Sequence, residues 1–247
     1  MPRLVPFRLA ASCALALVFV LSLTVAAAAK GPVADLRVVG KGGAVLTETS
    51  FGAATASVKT SPQATCFGAG TGGSGKSVTI EGATALGMLM QAAKLAAGLR
   101  PLSITDHFDF GLGICGVGGS VASRTASWYL KVNHENPELG GEMVKVHAGD
   151  EVLWALAGFP YPKELALEAP DSVRSGVPFG VRVFSYDDKG KRKPAAGVTV
   201  SGASGPTDAQ GRATVTLAGP ARLIARHGKD ISSNRETVCV GGKCPGR

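Results

Sequence analysis

The chain has 247 residues, with 26 basic and 18 acidic side chains and a formal net charge of +8 at pH 7. Its 34 glycines and its aromatic content of only 6% favour turns and β-sheets and argue against a helix bundle. The positive charge favours anionic contact surfaces such as wall polymers or lipid headgroups, but it does not determine the fold.

The first 29 residues have the three-part layout of a secretory signal peptide. Arg3 and Arg8 precede an apolar stretch without acidic residues, and Ala27 and Ala29 provide the small-residue cleavage pattern before Lys30. An uncleaved anchor is the alternative, because the apolar run approaches the roughly 20 residues that span a bilayer. We therefore expect a secreted or extracellular surface protein, which contacts a membrane only if this segment is retained.

Cleavage would remove two arginines and no acidic residue, so the formal net charge would fall by two, from +8 to +6. About 218 residues would remain, which is enough for one large domain or two smaller ones. A proline-rich joint at residues 159–162, with the sequence FPYP, marks the predicted boundary. We place one domain at residues 30–162 and the other at residues 163–247.

Four cysteines would remain after cleavage: Cys66, Cys115, Cys239 and Cys244. An even number of cysteines in an exported chain indicates disulfides, and four cysteines allow three pairings. We expect Cys66 to pair with Cys115 and Cys239 with Cys244, because each pair then lies within one predicted domain. Zinc ligation is the alternative, but the absence of CxxC spacing and an oxidising compartment argue against it.

The pattern of residues 30–162 predicts an α+β domain. Apolar residues recur at helical spacing over residues 84–97, and Gly98 follows as a stop signal. The predicted strands are residues 35–39, 44–48, 53–60, 78–80, 127–133, 143–146 and 151–156. This order of strands, one helix and further strands predicts a grasp-like fold, in which one main helix packs on a β-sheet.

The pattern of residues 163–247 predicts an all-β immunoglobulin-like or prealbumin-like sandwich with a disulfide-bonded tail. Short strand patterns, separated by clusters of Gly, Pro, Asp and Ser, occur at residues 165–168, 179–186, 197–200, 212–217, 221–226 and 237–240. No helical period is found in this half.

Residues 70–77 match the nucleotide-binding pattern G-x-x-x-x-G-K-[ST]. A phosphate-binding loop must follow a buried strand and open a helix, whereas Ser77 is followed by the strand-like residues Val-Thr-Ile. We therefore expect a glycine-rich surface loop near Cys66 and no nucleotide partner.

Other polar clusters give weak signals for chemistry. Residues 106–109, with the sequence DHFD, could supply metal ligands, but such short clusters are commonly solvated loops, so we predict no metal. No nucleophile motif is present, and we predict neither catalytic residues nor a cofactor. The basic run at residues 189–193 is predicted to be a solvated hairpin loop, with an anionic surface polymer as the alternative partner and no nucleic acid.

Strand alternation gives the candidate ligand-binding residues. Tyr129 shares one face of a predicted strand with Lys131 and Asn133, a polar set that we expect to be exposed. Together with His134 these residues are the predicted ligand site, for an extracellular ligand that the sequence does not identify. Trp154 shares its face with apolar neighbours, and we expect it in the core.

Three segments carry a resemblance to a known family: residues 84–89 (TALGML), 127–133 (SWYLKVN) and 149–154 (GDEVLW). Together they resemble the domain of unknown function that bacterial secreted proteins share with the C-terminal β-domain of transcobalamin and intrinsic factor. The resemblance covers about residues 35–157. It implies a domain that closes over a ligand, but this chain lacks the large helical partner of the vitamin binders, and His134 stands where the family usually has glycine.

The second half is similar to bacterial immunoglobulin-like or prealbumin-like repeats, which are usually spacers or adhesive stalks. The leading hypothesis is therefore a secreted or cell-surface binding and adhesion module without catalytic activity. The alternatives are a carrier of a small, corrinoid-like ligand and an extracellular hydrolase. A groove lined by Tyr129, Asn133 and His134 would favour the carrier, and a convergent acid and base pair would favour the enzyme.

Overall fold

The computed structural model describes residues 31–246, which form mainly β-sheet with one α-helix. The expectation of a strand-rich chain with a single main helix is thereby confirmed. The predicted signal peptide, residues 1–29, lies outside the described residues. Within the described part of the chain, no helix is long and apolar enough to cross a membrane.

The strands of the first half are β1 (Val33–Val39), β2 (Val45–Gly52), β3 (Ala56–Lys59), β4 (Ser77–Ile80), β5 (Leu102–Phe108), β6 (Gly111–Val117), β7 (Ser120–Val121), β8 (Ser127–Val132) and β9 (Glu151–Ala157). Helix α1 (Ala85–Leu95) lies between β4 and β5, and short 3-10 turns occur at Lys41–Gly43 and Ala97–Leu99. The strands of the second half are β10 (Glu164–Glu168), β11 (Ser172–Val173), β12 (Phe179–Tyr186), β13 (Arg192–Pro194), β14 (Thr199–Val200), β15 (Arg212–Val215), β16 (Ala221–Leu223), β17 (Ala225–Arg226) and β18 (Glu236–Val240).

The central sheet of the first half has the strand order β2-β1-β9-β8. Strands β1 and β9 are parallel at its centre, and β2 and β8 are antiparallel to them at the edges. One face of this sheet packs against α1, which is apolar nearly all round. The hydroxyl of Thr84 caps the helix by accepting a hydrogen bond from the amide of Gly87 at 3.1 Å.

The second half has its own hydrophobic cluster, built from residues between Leu165 and Val238. One sheet has the order β10-β12-β13 with β15 also paired to β12, and another has the order β11-β18-β16. Strands β14 and β17 form a separate pair. Apolar residues from these sheets meet in the shared cluster, so this half does not depend on α1 for its core.

One predicted strand is absent, one hairpin was not predicted, and one predicted loop lies partly in a strand. Residues 143–146 form no strand, because their backbone bonds to the start of the helix: Ala85 donates to the carbonyl of Val144 at 2.9 Å, and Val146 donates to Ala83 at 3.1 Å. The hairpin β5–β6 was not predicted, because the glycines of β6 interrupt the apolar alternation that marks a strand. Strand β5 also contains Asp106 and His107, which the sequence placed in a loop.

The predicted exposure of Tyr129 and Lys131 is also wrong, whereas Asn133 on the same face is exposed as predicted. Tyr129 is only 2% exposed and Lys131 is fully buried, because residues of the second half cover this face of the sheet. The ring of Tyr129 stacks on Tyr161 with 4.0 Å between centroids, and its hydroxyl donates to Asp188 at 2.6 Å. Burial and the Asp188 carboxylate both raise the pKa of Tyr129. Strand β8 is therefore buried on both faces.

The predicted burial of Trp154 in the core is confirmed. This residue is 4% exposed, belongs to the cluster around α1, and its indole nitrogen donates to the carbonyl of Ala85 at 3.3 Å.

We expect Tyr129→Ala to destabilise the protein by about 3–5 kcal/mol, because it leaves a cavity between the two halves. Tyr129→Phe keeps the ring and loses only the hydrogen bond to Asp188, so its cost should be about 1 kcal/mol. Urea unfolding at neutral pH measures both values. An unchanged midpoint for Tyr129→Ala would mean that this face of β8 is exposed in solution.

Both predicted disulfides are confirmed. Cys66 and Cys115 are bonded and join the loop after β3 to β6, and Cys239 and Cys244 are bonded and join β18 to the tail. The sequence separations are 49 and 5 residues. In the chain-entropy model the longer loop contributes more, because its closure restricts the unfolded chain more strongly.

We therefore expect replacement of Cys66 and Cys115 by serine to lower the free energy of unfolding by about 4 kcal/mol, against about 2 kcal/mol for the Cys239 and Cys244 pair. Differential scanning calorimetry of the two double variants compares them directly. An equal or reversed order would contradict the loop-length argument.

Candidate functional site

A polar cleft lies between the two halves of the molecule and has a volume of about 460 Å³. Its walls come from β1, β2 and β9 on one side and from β10 and β12 on the other. Of the four predicted ligand-binding residues, only His134 lines it. The ionisable side chains at its walls are Asp35, Arg37, Glu48, His134, Glu151, Glu164 and Glu168.

Glu164 is the buried centre of this cleft, with an exposed fraction of only 1%. Arg37 donates to its Oε1 atom, and the Nδ1 atom of His134 lies 3.1 Å from the same oxygen. The Nζ atom of Lys131 lies 3.5 Å from Oε2 and donates to the carbonyl of Asp187 at 2.8 Å. Three basic side chains of the first half therefore surround one carboxylate of the second.

The electrostatics of this cluster keep Glu164 ionised. Burial alone would raise its pKa, but the hydrogen bond with His134 and the charges of Arg37, His134 and Lys131 outweigh it, so the pKa lies below its ordinary value. For Lys131, burial lowers the pKa, although Glu164 opposes the shift. The arrangement binds the two halves together and leaves Glu164 unsuited to donate a proton near neutral pH.

Asn133 and His134 form the turn after β8, and both have positive φ angles, 51° and 69°. The side chain of Asn133 bridges this turn to β9, donating to Asp150 at 2.9 Å and accepting from the amide of Glu151 at 2.9 Å. His134 stacks on Tyr186 with 3.7 Å between ring centroids. Asn133 thus supports the turn, whereas His134 reaches the cleft.

The predicted ligand site is therefore not brought together as one surface. Tyr129 contributes to a second, aromatic groove, His134 lines the polar cleft, Asn133 lines neither of the two, and Lys131 is fully buried. The sequence could not separate these locations, because alternation on a strand tells which residues share a face but not what covers that face.

The stretch that matches the nucleotide-binding pattern is a loop between β3 and β4. It leads into strand β4, whereas a phosphate-binding loop opens a helix. Asp106 anchors it, accepting hydrogen bonds from the amide and the hydroxyl of Ser74 at 2.6 Å each. These bonds lower the pKa of Asp106 to about 2. Within residues 31–246, no group of three or more His, Cys, Asp or Glu side chains is arranged to hold a metal ion.

The loop of the basic run, residues 189–193, also contacts strand β8, which the sequence did not indicate. This loop begins at Asp187, whose side chain accepts from the amides of Lys189 at 3.0 Å and Lys191 at 2.9 Å. Arg192 already belongs to β13, where it pairs with Glu168 and lies 3.4 Å from the centre of the Phe184 ring. The basic side chains remain exposed, but the loop also carries the two aspartates that contact Lys131 and Tyr129.

An aromatic groove of about 440 Å³ lies on the first half, between β6 and β8. Phe110 and Leu139 at its rim are 80% and 57% exposed. The ring of Phe108 stacks on Phe110 with 5.0 Å between centroids and meets Phe67 edge-on at 5.3 Å. Such a cluster of exposed apolar side chains is typical of a binding surface.

Glycine in β6 allows this cluster to form. A Cβ atom at Gly113 would lie 2.7 Å from the ring of Phe67, so only glycine lets that ring pack against the strand. The groove was not predicted, because its strands β5 and β6 were not predicted. The alternation of Phe108 and Phe110 around Asp109 was the available signal.

Comparisons with family models, with curated proteins and with solved structures found no match.

We expect Glu164→Gln to destabilise the protein by about 3–5 kcal/mol at neutral pH, because Arg37 and Lys131 would remain buried without their counter-charge. Since the pKa of Glu164 is lowered on folding, its contribution is fully present above the ordinary value of 4.5 and is lost as pH falls through the folded-state value. The variant should therefore lose less stability on acidification than the wild type.

The matched control is Glu168→Gln on the same strand, which removes the exposed partner of Arg192. It should cost less than about 1 kcal/mol. Urea unfolding between about pH 3 and pH 7 measures both variants. Equal costs for the two substitutions would contradict a structural role for the buried cluster.

Proposed function

We propose that the chain is an exported, non-catalytic binding module whose ligand occupies the aromatic groove. The observation that carries this proposal is the exposure of Phe110 and Leu139 beside a concave site of ligand size. Exposed aromatic side chains lose water contact when a ligand covers them, and this contributes affinity without a role in folding.

Two observations support an extracellular location. The disulfides Cys66–Cys115 and Cys239–Cys244 fit an oxidising environment. The N-terminal sequence has the layout of a secretory signal. We propose that the chain is released by cleavage before Lys30, which N-terminal sequencing of protein from the culture medium would test. A retained N-terminal segment would place the module on a membrane surface instead.

The architecture supports a grasp-like first domain on an immunoglobulin-like or prealbumin-like support. The order β2-β1-β9-β8 with a parallel central pair, and α1 on one face, is consistent with the first assignment. The three segments that resemble the transcobalamin-related family fall at the start of α1, on β8 and at the entry to β9. Because β8 and β9 pair and both pack on α1, these segments form one unit, which supports the resemblance as a proposal.

A carrier of a small ligand is the second candidate. The groove volume of about 440 Å³ lies within the range of small-molecule sites, roughly 300–1,000 Å³. A carrier would retain its ligand during purification, so mass spectrometry of an organic extract from the secreted protein distinguishes it from an adhesion module.

We expect Phe110→Ser to abolish ligand binding and to leave the melting temperature nearly unchanged, because the side chain is 80% exposed. The matched control is Phe159→Ser, since Phe159 is 87% exposed and does not line the groove. Suitable probes are a glycan array and a phage-displayed library of random octapeptides. Binding that survives in Phe110→Ser, or the absence of any groove-dependent binding, would contradict the proposed site.

A further inference from the structure

The walls of the aromatic groove are the edges of two strands. Four consecutive residues of β8, from Ser127 to Leu130, line the groove, and so do four consecutive residues of β6, from Gly111 to Ile114. Side chains alternate between the two faces of a strand, so consecutive residues can share one groove only through the strand edge. The groove therefore presents backbone as well as aromatic rings.

The hydrogen bonds of β8 show which backbone groups face the groove. The backbone amide of Asn133 donates to the carbonyl of Glu151 in β9. The backbone N–H and C=O groups of the odd-numbered residues of β8 therefore point towards β9. The backbone groups of the even-numbered residues point to the opposite edge. On that edge the backbone of Ala126 bonds with Ser123, and the backbone of Val132 bonds with Glu135. These two bridges close both ends of the free edge.

An open window remains between the two bridges. The carbonyl of Leu130 accepts from the side-chain amide of Asn136 at 2.8 Å. The N–H and C=O of Trp128 and the N–H of Leu130 form no hydrogen bond with any residue between 31 and 246. Three backbone groups in strand geometry thus face a concave apolar site, where an extended chain would satisfy them.

On the opposite wall, one backbone amide already has a partner. Glu142 accepts from the amide of Leu112 at 3.1 Å through Oε1. We expect an incoming segment to pair with β8, where three backbone groups are free, while β6 and the aromatic rings cover its side chains. Among residues 31–246, Glu142 is the only charged side chain that lines the groove, which favours a basic group at that end of the ligand.

We propose, on the basis of the proposed function, that the groove binds an extended peptide that adds as a strand to β8. The peptide carries alternating apolar residues and a basic residue near Glu142. Main-chain bonds to Trp128 and Leu130 supply the register, and the aromatic cluster supplies the side-chain contacts. A folded partner such as a second copy of this chain does not fit, because the window is concave and spans only about four residues, or roughly 13 Å.

The test begins with selection of a phage-displayed random octapeptide library on the wild-type protein. Enriched peptides should alternate apolar residues and should bind Phe159→Ser but not Phe110→Ser. Synthetic versions are then N-methylated one amide at a time. In the window only the carbonyl of Trp128 is free to accept, so methylation of the one peptide amide that pairs with it should weaken binding at least about fivefold, and methylation of the other amides less than about twofold.

Two further measurements locate the bound peptide. Titration of ¹⁵N-labelled protein should shift the backbone amides of Trp128 and Leu130 more than those of the covered residues Ala126 and Val132. Glu142→Gln should remove the preference for a basic residue and keep the bond to Leu112, because the amide oxygen still accepts.

The remaining outcomes separate the two proposals. Peptide binding that no single N-methylation weakens at least about fivefold, or binding that persists in Phe110→Ser, overturns strand addition. Binding of a glycan in a Phe110-dependent manner, without enrichment of any peptide, overturns the peptide proposal but keeps the groove as the binding site. The absence of groove-dependent binding by either probe overturns both.

Discussion

The buried carboxylate of Glu164 is the constraint on which the arrangement of the molecule depends. It lies at the start of β10, yet its partners Arg37, Lys131 and His134 all belong to the first half. A buried charge is tolerated only when it is paired, so neither half can expose this face without leaving charges uncompensated in a poorly solvated site. This explains why a basic side chain, Lys131, is fully buried in the middle of a strand.

Burial of that face defines the role of strand β8. Trp128, Leu130 and Val132 pack towards α1, and Tyr129 and Lys131 pack towards the second half. With both faces covered and β9 paired along one side, the strand can contact a ligand only along its remaining edge. The aromatic groove lies along that edge. The position of β8 therefore accounts for both the interface between the halves, on one face of the strand, and the proposed binding site, along its free edge.

The two sites differ in chemistry and therefore in role. The polar cleft contains charges that already pair with each other, and removing one of them should chiefly affect stability. The aromatic groove is lined by one charged side chain, Glu142, which also binds the amide of Leu112, and by unpaired backbone groups and exposed rings that the fold does not require in that state. Unsatisfied backbone groups and exposed apolar surface both raise the free energy of an isolated molecule. A ligand that forms hydrogen bonds with these backbone groups and covers the apolar surface removes both penalties.

The sequence by itself determined the strand-rich composition, the single helix, both disulfides and the burial of Trp154, because periodicity, cysteine number and local spacing are properties of short segments. It did not determine the location of Tyr129 and Lys131, since alternation gives the face of a strand but not its covering. It also missed β5 and β6, where glycines remove the apolar pattern so that Phe67 can pack closely. The groove arises from segments far apart in the chain, from Phe67 to Tyr161, and only the tertiary structure brings their edges and rings together.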